Sequence, residues 1–164
     1  IGSNNDWSFE KAMHNLNPSC KIHTFDHTIM GRVKNKPDYV NYYPMGIGPN
    51  SSGPIGTMDV LLQAAGLSNT TIDILKIDCE GCEYMVYNEF FKGFIRQLLI
   101  ELHGISCPTK KFGAIACVNN AGPVHINKFF ESMKLNGYVI FHKEPNTHGC
   151  GGNCIEYAFL KLNL

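Results

Sequence analysis

The sequence predicts an α/β fold with a doubly wound, mostly parallel sheet that ends in an antiparallel hairpin. Short apolar runs alternate with segments of helical periodicity along most of the 164 residues, which favours parallel strands joined by helices. The last two strand-like runs have no helix between them, which is typical of a hairpin. At 44% hydrophobic residues, a chain of this length predicts one domain over residues 1–164.

Charge and hydropathy narrow the functional classes. Fourteen basic residues balance fourteen acidic ones, which argues against nucleic acid as a partner. No apolar run approaches the roughly 20 residues of a membrane-spanning helix. Residues 1–5 have the composition of a turn but lack the strand that should lead into it. We therefore expect the first strand to be truncated and the domain to be incomplete at its N-terminus.

A first helix is predicted directly after the Gly-Ser-Asn-Asn turn. Asp6 or Ser8 can cap it, and Phe9, Met13 and Leu16 then share its buried face. The small residues of the turn suit a close approach of a ligand to backbone N–H groups.

Residues 21–25 predict the next strand, which ends on Asp26. In a nucleotide-binding α/β unit, an acid about 20 residues after the glycine turn accepts hydrogen bonds from the ribose hydroxyls. Gly2 and Asp26 are 24 positions apart, so the spacing agrees. A solvated aspartate that simply ends a strand is an equally good interpretation.

Two further elements are predicted before the centre of the chain. A third strand covers 39–45 and leads into Gly46 and Ile47, and the polar residues 50–56 predict a mobile loop. The helix that follows ends at Gly66.

The apolar run at 72–77 predicts a central strand with both faces covered. It ends on Asp78, and Glu80 and Glu83 follow in a tight turn that leads into a helix. The turn places carboxylates at the carboxyl edge of the sheet, where open α/β sheets bind ligands.

The strand at 96–104 brings two more polar residues to that edge. Glu101 and His103 are two positions apart, so they project to the same side of the strand. Because this strand should neighbour the preceding one, we expect Asp78, Glu101 and His103 to meet. Simpler interpretations are that Glu101 pairs with a nearby Lys or Arg and that Glu83 is only a first-turn helix residue.

The last third of the chain predicts a long loop at 107–122, a helix at 124–135 and the terminal hairpin at 138–141 and 155–160. The inward face of the helix consists of four apolar residues, Ile126, Phe129, Phe130 and Met133.

Seven cysteines are many for a cytosolic domain of this size, so disulfides and a secreted or luminal (ER or Golgi) location are favoured. Their odd number leaves at least one thiol free. Buried, reduced cysteines are the alternative. Cys79, Cys82, Cys150 and Cys154 have C-x2-C and C-x3-C spacings that also occur in zinc sites, and disulfides explain these spacings as well.

The order of elements, counted with the missing first strand, resembles the Rossmann-like class I S-adenosylmethionine (SAM) methyltransferases, in which acids close the second and fourth strands. The motif I-D-I-L-K-I-D-C-E-G-C-E-Y is similar to the FkbM-type signature of Lys-Ile-Asp, Glu-Gly and a second Glu, and L-L-I-E-L-H matches its fifth-strand Glu and His. The segments G-S-N-N-D-W-S-F-E, F-D-H-T and E-Y-A-F-L resemble the animal methyltransferase-like proteins of this branch, many of which look secreted or Golgi-directed.

The resemblance implies SAM as the methyl donor. At Cys79 and Cys82 the family more often has valine and alanine, which leaves room for a structural disulfide. The implied SAM contacts are Gly2, Ser3, Asn4 and Asn5 for the methionine part, Asp26 for the ribose, Gly46 and Ile47 for the adenine, and Asp78 near the methyl-bearing end.

The reaction implied by this branch is O-methylation of a hydroxyl on a sugar, a glycan or a small molecule. His103 is the predicted general base, because imidazole has an unperturbed pKa near neutrality, and Asp78 and Glu80 would orient the hydroxyl. In a variant of this mechanism, Mg²⁺ or Mn²⁺ bound by Asp78, Glu101 and His103 lowers the pKa of the hydroxyl.

The competing class is non-catalytic. It comprises a methyltransferase fold that binds a nucleotide or a protein partner, and a secreted interaction module held by disulfides. An NAD-linked enzyme is disfavoured, since no G-x-G-x-x-G opens the first helix.

Overall fold

The computed structural model describes residues 1–92, 94–103, 123–147 and 154–162. It is a mixed α/β structure, as predicted. The helices are α1 (Ser8–Leu16), α2 (Met58–Ala64), α3 (Glu83–Val86) and α4 (Pro123–Leu135), with a 3-10 helix at Tyr87–Phe91 directly after α3. The strands are β1 (Ile22–Phe25), β2 (Val40–Tyr43), β3 (Gly46–Ile47), β4 (Ile55–Gly56), β5 (Ile72–Ile77), β6 (Ile95–His103), β7 (Tyr138–Asn146) and β8 (Cys154–Lys161).

The largest sheet in the described part of the chain has four strands in the order β5-β6-β8-β7. Strands β5 and β6 run parallel, whereas β8 is antiparallel to both β6 and β7. The predicted C-terminal hairpin is therefore confirmed. Its first strand continues to Asn146 rather than ending at Phe141. The predicted loop at 107–122 lies outside the described residues.

The parallel pair of β1 and β2 is linked to this sheet through Ile1. The Ile1 nitrogen donates to the Lys76 carbonyl (2.6 Å), and the Ile1 carbonyl accepts from the Asp78 amide (3.0 Å). On its other side, the Gly2 amide donates to the Phe25 carbonyl (2.9 Å). Ile1 thus occupies the strand position between β1 and β5. The carboxyl ends of β1, β5 and β6 lie along one edge as a result.

The predicted loop at 50–56 contains a short strand. Strands β3 and β4 pair in parallel, and all four of their residues are buried. Two-residue strands are too short to produce a periodic pattern, which is why the sequence indicates only a loop there.

The main core lies between the sheet and helices α2 to α4. The helix predicted at 124–135 is confirmed as α4, and its Phe129 is fully buried. Edge-to-face contacts between aromatic rings stabilise a core beyond the area that they bury. The ring of Phe129 makes such contacts, with centroids 5.3 to 6.2 Å apart, to Tyr84, Tyr87, Phe130 and Phe159.

Helix α1 begins at Ser8, so its N-cap is Trp7 and the predicted cap at Asp6 or Ser8 is wrong, although Asp6 Oδ1 accepts a hydrogen bond from the Ser8 amide (2.9 Å). The predicted buried face is wrong at Leu16, whose side chain is 80% exposed. Glu10 is buried instead, and its carboxylate accepts a hydrogen bond from the Thr24 hydroxyl of β1 (2.8 Å). Because this inward contact is polar, it is invisible to a prediction made from apolar periodicity.

A buried carboxylate joins the 3-10 helix to α2. Glu89 Oε2 accepts a hydrogen bond from the Met58 amide (3.2 Å), at the first residue of α2, and Glu89 Oε1 pairs with Lys92 Nζ (2.7 Å). Glu89 therefore satisfies a free N–H group at the start of a helix to which it does not belong.

Replacing Glu89 with alanine is expected to lower the free energy of unfolding by about 1–3 kcal/mol, because the buried Met58 amide loses its acceptor. Urea denaturation measures the change. Glu131 is exposed on α4 and provides the matched control. Glu131→Ala should change the free energy of unfolding by less than about 0.5 kcal/mol. Equal effects of the two substitutions would contradict the capping role.

Candidate functional site

The carboxyl ends of the parallel strands meet around Gly2. This residue has a φ of +82°, and a Cβ built on it would lie 1.9 Å from the Asp78 carbonyl oxygen, so only glycine fits. Asp26 follows β1, Asp78 follows β5 and His103 ends β6. The structure therefore brings these three predicted site residues to one edge of the sheet.

Asp26 holds the turn that follows Gly2. Its Oδ2 accepts hydrogen bonds from the amides of Ser3 (2.9 Å) and Asn4 (2.8 Å), and its Oδ1 from the amide and hydroxyl of Thr28 (2.8 and 2.6 Å). Burial alone would raise the pKa of Asp26, but these hydrogen bonds outweigh burial and lower it. A carboxylate has about four acceptor positions, and all are used here. The ribose contact stays a prediction, and it requires a hydroxyl to displace one of these donors.

Asn4 and Asn5 continue the turn with φ values of +48° and +64°, a region that asparagine tolerates. The Asn5 side chain donates to the Arg32 carbonyl (3.2 Å) and accepts from the Lys34 amide (2.7 Å). It thereby anchors the turn to the polar segment after β1. A cofactor contact through Asn5 stays a prediction.

Gly46 and Ile47 are buried in β3. A Cβ on Gly46 would lie 2.5 Å from His27 Nδ1, so the imidazole of His27 lies directly against this glycine. His27 is not among the predicted site residues, although the F-D-H-T motif contains it. A ring in this position is a further candidate contact for the adenine predicted here, because bases stack on aromatic side chains.

Glu83 is the site residue that the sequence prediction missed. It is fully buried at the start of α3, and its Oε1 accepts hydrogen bonds from His103 Nδ1 (3.0 Å) and the amides of Gly81 (3.2 Å) and Cys79 (3.4 Å). Its Oε2 has no hydrogen-bond partner in the described ranges. First-turn glutamates are common. The sequence feature that could have identified Glu83 is its position as the second Glu of the FkbM-like motif.

His103 is buried among acids. Burial alone would lower its pKa, but the hydrogen bond to Glu83 and the charges of Glu83, Asp78 and Glu101 outweigh burial and raise the pKa to about 9. At neutral pH the ring is then an imidazolium, which cannot accept a proton. The general-base role stays a prediction, and it requires either a pH above this pKa or another cation that balances the acids.

The structure groups His103 with Asp78 and Glu83. One candidate ligand atom from each residue lies within 4.8 Å of the other two. Glu101, which the sequence predicted as a member of this set, accepts a hydrogen bond from Asn146 Nδ2 (2.9 Å). The geometry therefore favours Glu83 over Glu101 as the third member of the predicted metal set.

A row of carboxylates crosses the sheet beside this group. Glu101 of β6 lies opposite Glu156 of β8, which lies opposite Glu144 of β7. Burial and the charges of Asp78 and Glu156 raise the pKa of Glu101 to about 7. Several acids at one edge of the sheet create a negative potential that attracts cationic ligands.

Glu80 lies on the solvent side of His103. It has a φ of +56°, its side chain is 61% exposed, and its Oε2 is 3.4 Å from His103 Nε2. This exposed position suits the predicted role of orienting a hydroxyl, which stays a prediction.

The described cysteines do not form the zinc site considered above. Cys79 and Cys82 form a disulfide across the acidic turn, and Cys154 is also disulfide-bonded. A disulfide sulfur offers no thiolate to a metal, so the zinc interpretation is wrong for these three residues. Cys20 is a free thiol. The remaining cysteines, Cys107, Cys117 and Cys150, lie outside the described residues.

A cleft of about 460 Å³ lies at the opposite edge of the sheet, where residues 68–71 precede β5 and Phe94 precedes β6. It is lined by none of the acids described above, and we assign it no part in the site.

A family model described as a methyltransferase domain matches residues 1–161. No curated protein and no solved structure matches the chain. Among the helices of the described ranges, none has the length and apolar character needed to cross a membrane. The family implies a Rossmann-like fold, which agrees with the parallel strands and the site at their carboxyl ends. Because the match covers nearly the whole chain, the protein belongs to this methyltransferase domain family and is a SAM-dependent methyltransferase.

Proposed function

We propose that this methyltransferase is of the FkbM type and methylates a hydroxyl oxygen of a sugar, a glycan or a small molecule. The observation that carries the proposal is the group of Asp78, Glu83 and His103 at the strand ends, in which Glu83 and His103 are buried. These residues belong to the two motifs that are most similar to the FkbM-type branch. A hydroxyl must lose its proton as it attacks, and carboxylates and imidazole are the side chains that most often manage such a proton.

The residues at this edge fit SAM. When bound, SAM supplies an activated methyl group, and it carries two cationic centres, the sulfonium and the ammonium. Asp78 Oδ1 is buried and has no hydrogen-bond partner among the described residues. Asp78 is also the residue whose backbone packs against Gly2, in the turn that is predicted to hold SAM. A buried carboxylate oxygen without a donor favours a cation beside it.

With SAM bound, the acceptor oxygen would take the methyl group, S-adenosylhomocysteine would leave, and the hydroxyl would lose its proton. Asp78 and Glu80 would orient the hydroxyl. His103 is the side chain toward which the proton moves, once the ring itself is neutral.

Calorimetric titration with SAM tests the cofactor half of the proposal. We expect one binding site, and we expect Asp78→Asn to weaken SAM binding by about tenfold or more, because a contact to a charged group is worth about 1.5–3 kcal/mol. Asp73 lies on the same strand at its other end, with a side chain that is 79% exposed. Asp73→Asn is the matched control and should leave SAM affinity unchanged. Absence of SAM binding would overturn the proposed reaction and favour the binding-module alternative.

We also propose a secreted or luminal location, in the ER or Golgi. The Cys79–Cys82 disulfide and the disulfide at Cys154 support it, since disulfides persist in oxidising compartments. Detection of the chain only in the cytosol, with these thiols reduced, would contradict this location.

A further inference from the structure

We infer that Asp78, Glu83 and His103 bind a divalent metal ion of the Mn²⁺ type. One candidate ligand atom from each residue lies within 4.8 Å of the other two. Two carboxylates and an imidazole combine the oxygen ligands preferred by Mg²⁺ and Mn²⁺ with the nitrogen ligand preferred by transition metals. The ion's part in catalysis rests on the proposed methyl transfer. The binding of the ion is independent of that proposal.

The two oxygens of Glu83 have very different surroundings. Oε1 accepts from three donors, the Cys79 and Gly81 amides and the His103 ring. Oε2 accepts from none in the described ranges, although Glu83 is fully buried. The three donors fix the orientation of the carboxylate and leave one oxygen free for a ligand. Hydrogen bonds that orient a ligating carboxylate in this way are typical of metal sites.

A purely structural role for Glu83 explains only half of this arrangement. It accounts for Oε1, which pairs with His103, but it leaves Oε2 desolvated without compensation. An unpaired buried polar atom costs about 1–3 kcal/mol, and more when the group is charged. Asp78 Oδ1, in the same group, is also buried without a partner among the described residues. A cation bound by this group would compensate the Glu83 oxygen, with the Asp78 carboxylate as a further ligand.

A second group of candidate ligands shares His103 and consists of Glu101, His103 and Cys154. Cys154 is disulfide-bonded, so it supplies no thiolate. Glu101 accepts a hydrogen bond from Asn146 and, unlike Glu83, has no buried oxygen that lacks a partner among the described residues. The group with Glu83 is therefore the one that the contacts favour.

An ion in this position explains how an acidic site activates a hydroxyl. With the ion bound, His103 would be a ligand instead of the proton acceptor. An acceptor hydroxyl bound to the ion would have a lowered pKa and would release its proton to water, and the resulting oxygen would then attack the methyl carbon.

Titration of the purified, non-reduced protein with Mn²⁺ alone, without SAM, tests the inference. Electron paramagnetic resonance measures the free Mn²⁺ that remains. We expect one saturable site, and we expect Glu83→Gln to weaken it by about tenfold or more. Glu131 is an exposed acid on α4, and Glu131→Gln is the charge-matched control. That control should change the affinity by less than about threefold, since salt screens distant surface charges.

A second measurement does not depend on a substitution at Glu83. Electron spin-echo modulation should show a nitrogen nucleus coupled to the bound Mn²⁺, and His103→Gln should remove that coupling. Absence of saturable binding, absence of nitrogen coupling, or equal affinities of the two glutamate variants would each overturn the site. If SAM binds and Mn²⁺ does not, only the metal inference fails. If Mn²⁺ binds and SAM does not, only the proposed function fails.

Discussion

Alanine at His103 is expected to slow methyl transfer by about 10²- to 10⁴-fold, the usual contribution of a positioned acid or base, and to leave SAM affinity nearly unchanged. The ring is held between Glu83 at Nδ1 (3.0 Å) and Glu80 at Nε2 (3.4 Å). Neither of these two acids is a predicted SAM contact, so removal of the ring should leave the predicted SAM contacts in place. The loss is expected whether the ring takes the proton itself or binds a metal ion that acidifies the hydroxyl.

The measurement is release of S-adenosylhomocysteine from SAM in the presence of a panel of sugar and small alcohol acceptors. The unsubstituted protein first identifies an acceptor from this panel. His125 is exposed on α4, so His125→Ala is the control and should retain full turnover. Unchanged turnover in His103→Ala would remove His103 from the mechanism. Loss of SAM binding together with turnover would show that its role is structural.

Replacing Glu83 with alanine is expected to lower the free energy of unfolding by about 3–5 kcal/mol, the usual cost of removing one partner of a buried charge pair. Glu83 is fully buried, and the substitution leaves His103 without its nearest acid. It also leaves the Gly81 amide without the acceptor that it has at 3.2 Å. The effect therefore combines a weakened buried charge pair with an unpaired backbone donor.

Urea denaturation under non-reducing conditions measures this change and keeps the Cys79–Cys82 disulfide intact. Glu80 is the matched control, because it is an acid of the same turn that contacts the same histidine from an exposed position. Glu80→Asn places a residue type that tolerates positive φ at this position, and it should lower the free energy of unfolding by less than about 1 kcal/mol. Similar costs for the two substitutions would show that the buried pair does not stabilise the turn.

Predictions from long or strongly patterned segments agree best with the structure. The apolar run at 72–77 is β5, the helix at 124–135 is α4, and the final two runs form the antiparallel hairpin. Strand β5 is less covered than predicted, because only Ile77 of its residues is buried. Such segments repeat one local preference over many residues, so a single exception does not change the result. Short elements lack this redundancy. The buried face of α1 was wrong at Leu16, and β4 was hidden in a predicted loop.

The candidate site was predictable in its location but only partly in its members. Asp78 and His103 end neighbouring parallel strands, and the chain order alone places such residues at one edge. Glu83 was predictable only as part of a resemblance, because a glutamate in the first turn of a helix is usually a solvated residue. Its burial arises when α3 packs against the sheet and brings it to His103, which is 20 positions away in the chain.

The sequence by itself determined the mixed α/β architecture, the terminal hairpin and the strand ends at which the polar residues accumulate. These features follow from periodicity and spacing, which act over a few residues. Only the tertiary structure decided that backbone and threonine donors occupy the Asp26 carboxylate, that Glu83 is the acid hydrogen-bonded to His103, and that the acids hold a proton on His103. The reason is that hydrogen bonds and charge interactions depend on distances between residues far apart in the chain, and packing alone sets those distances.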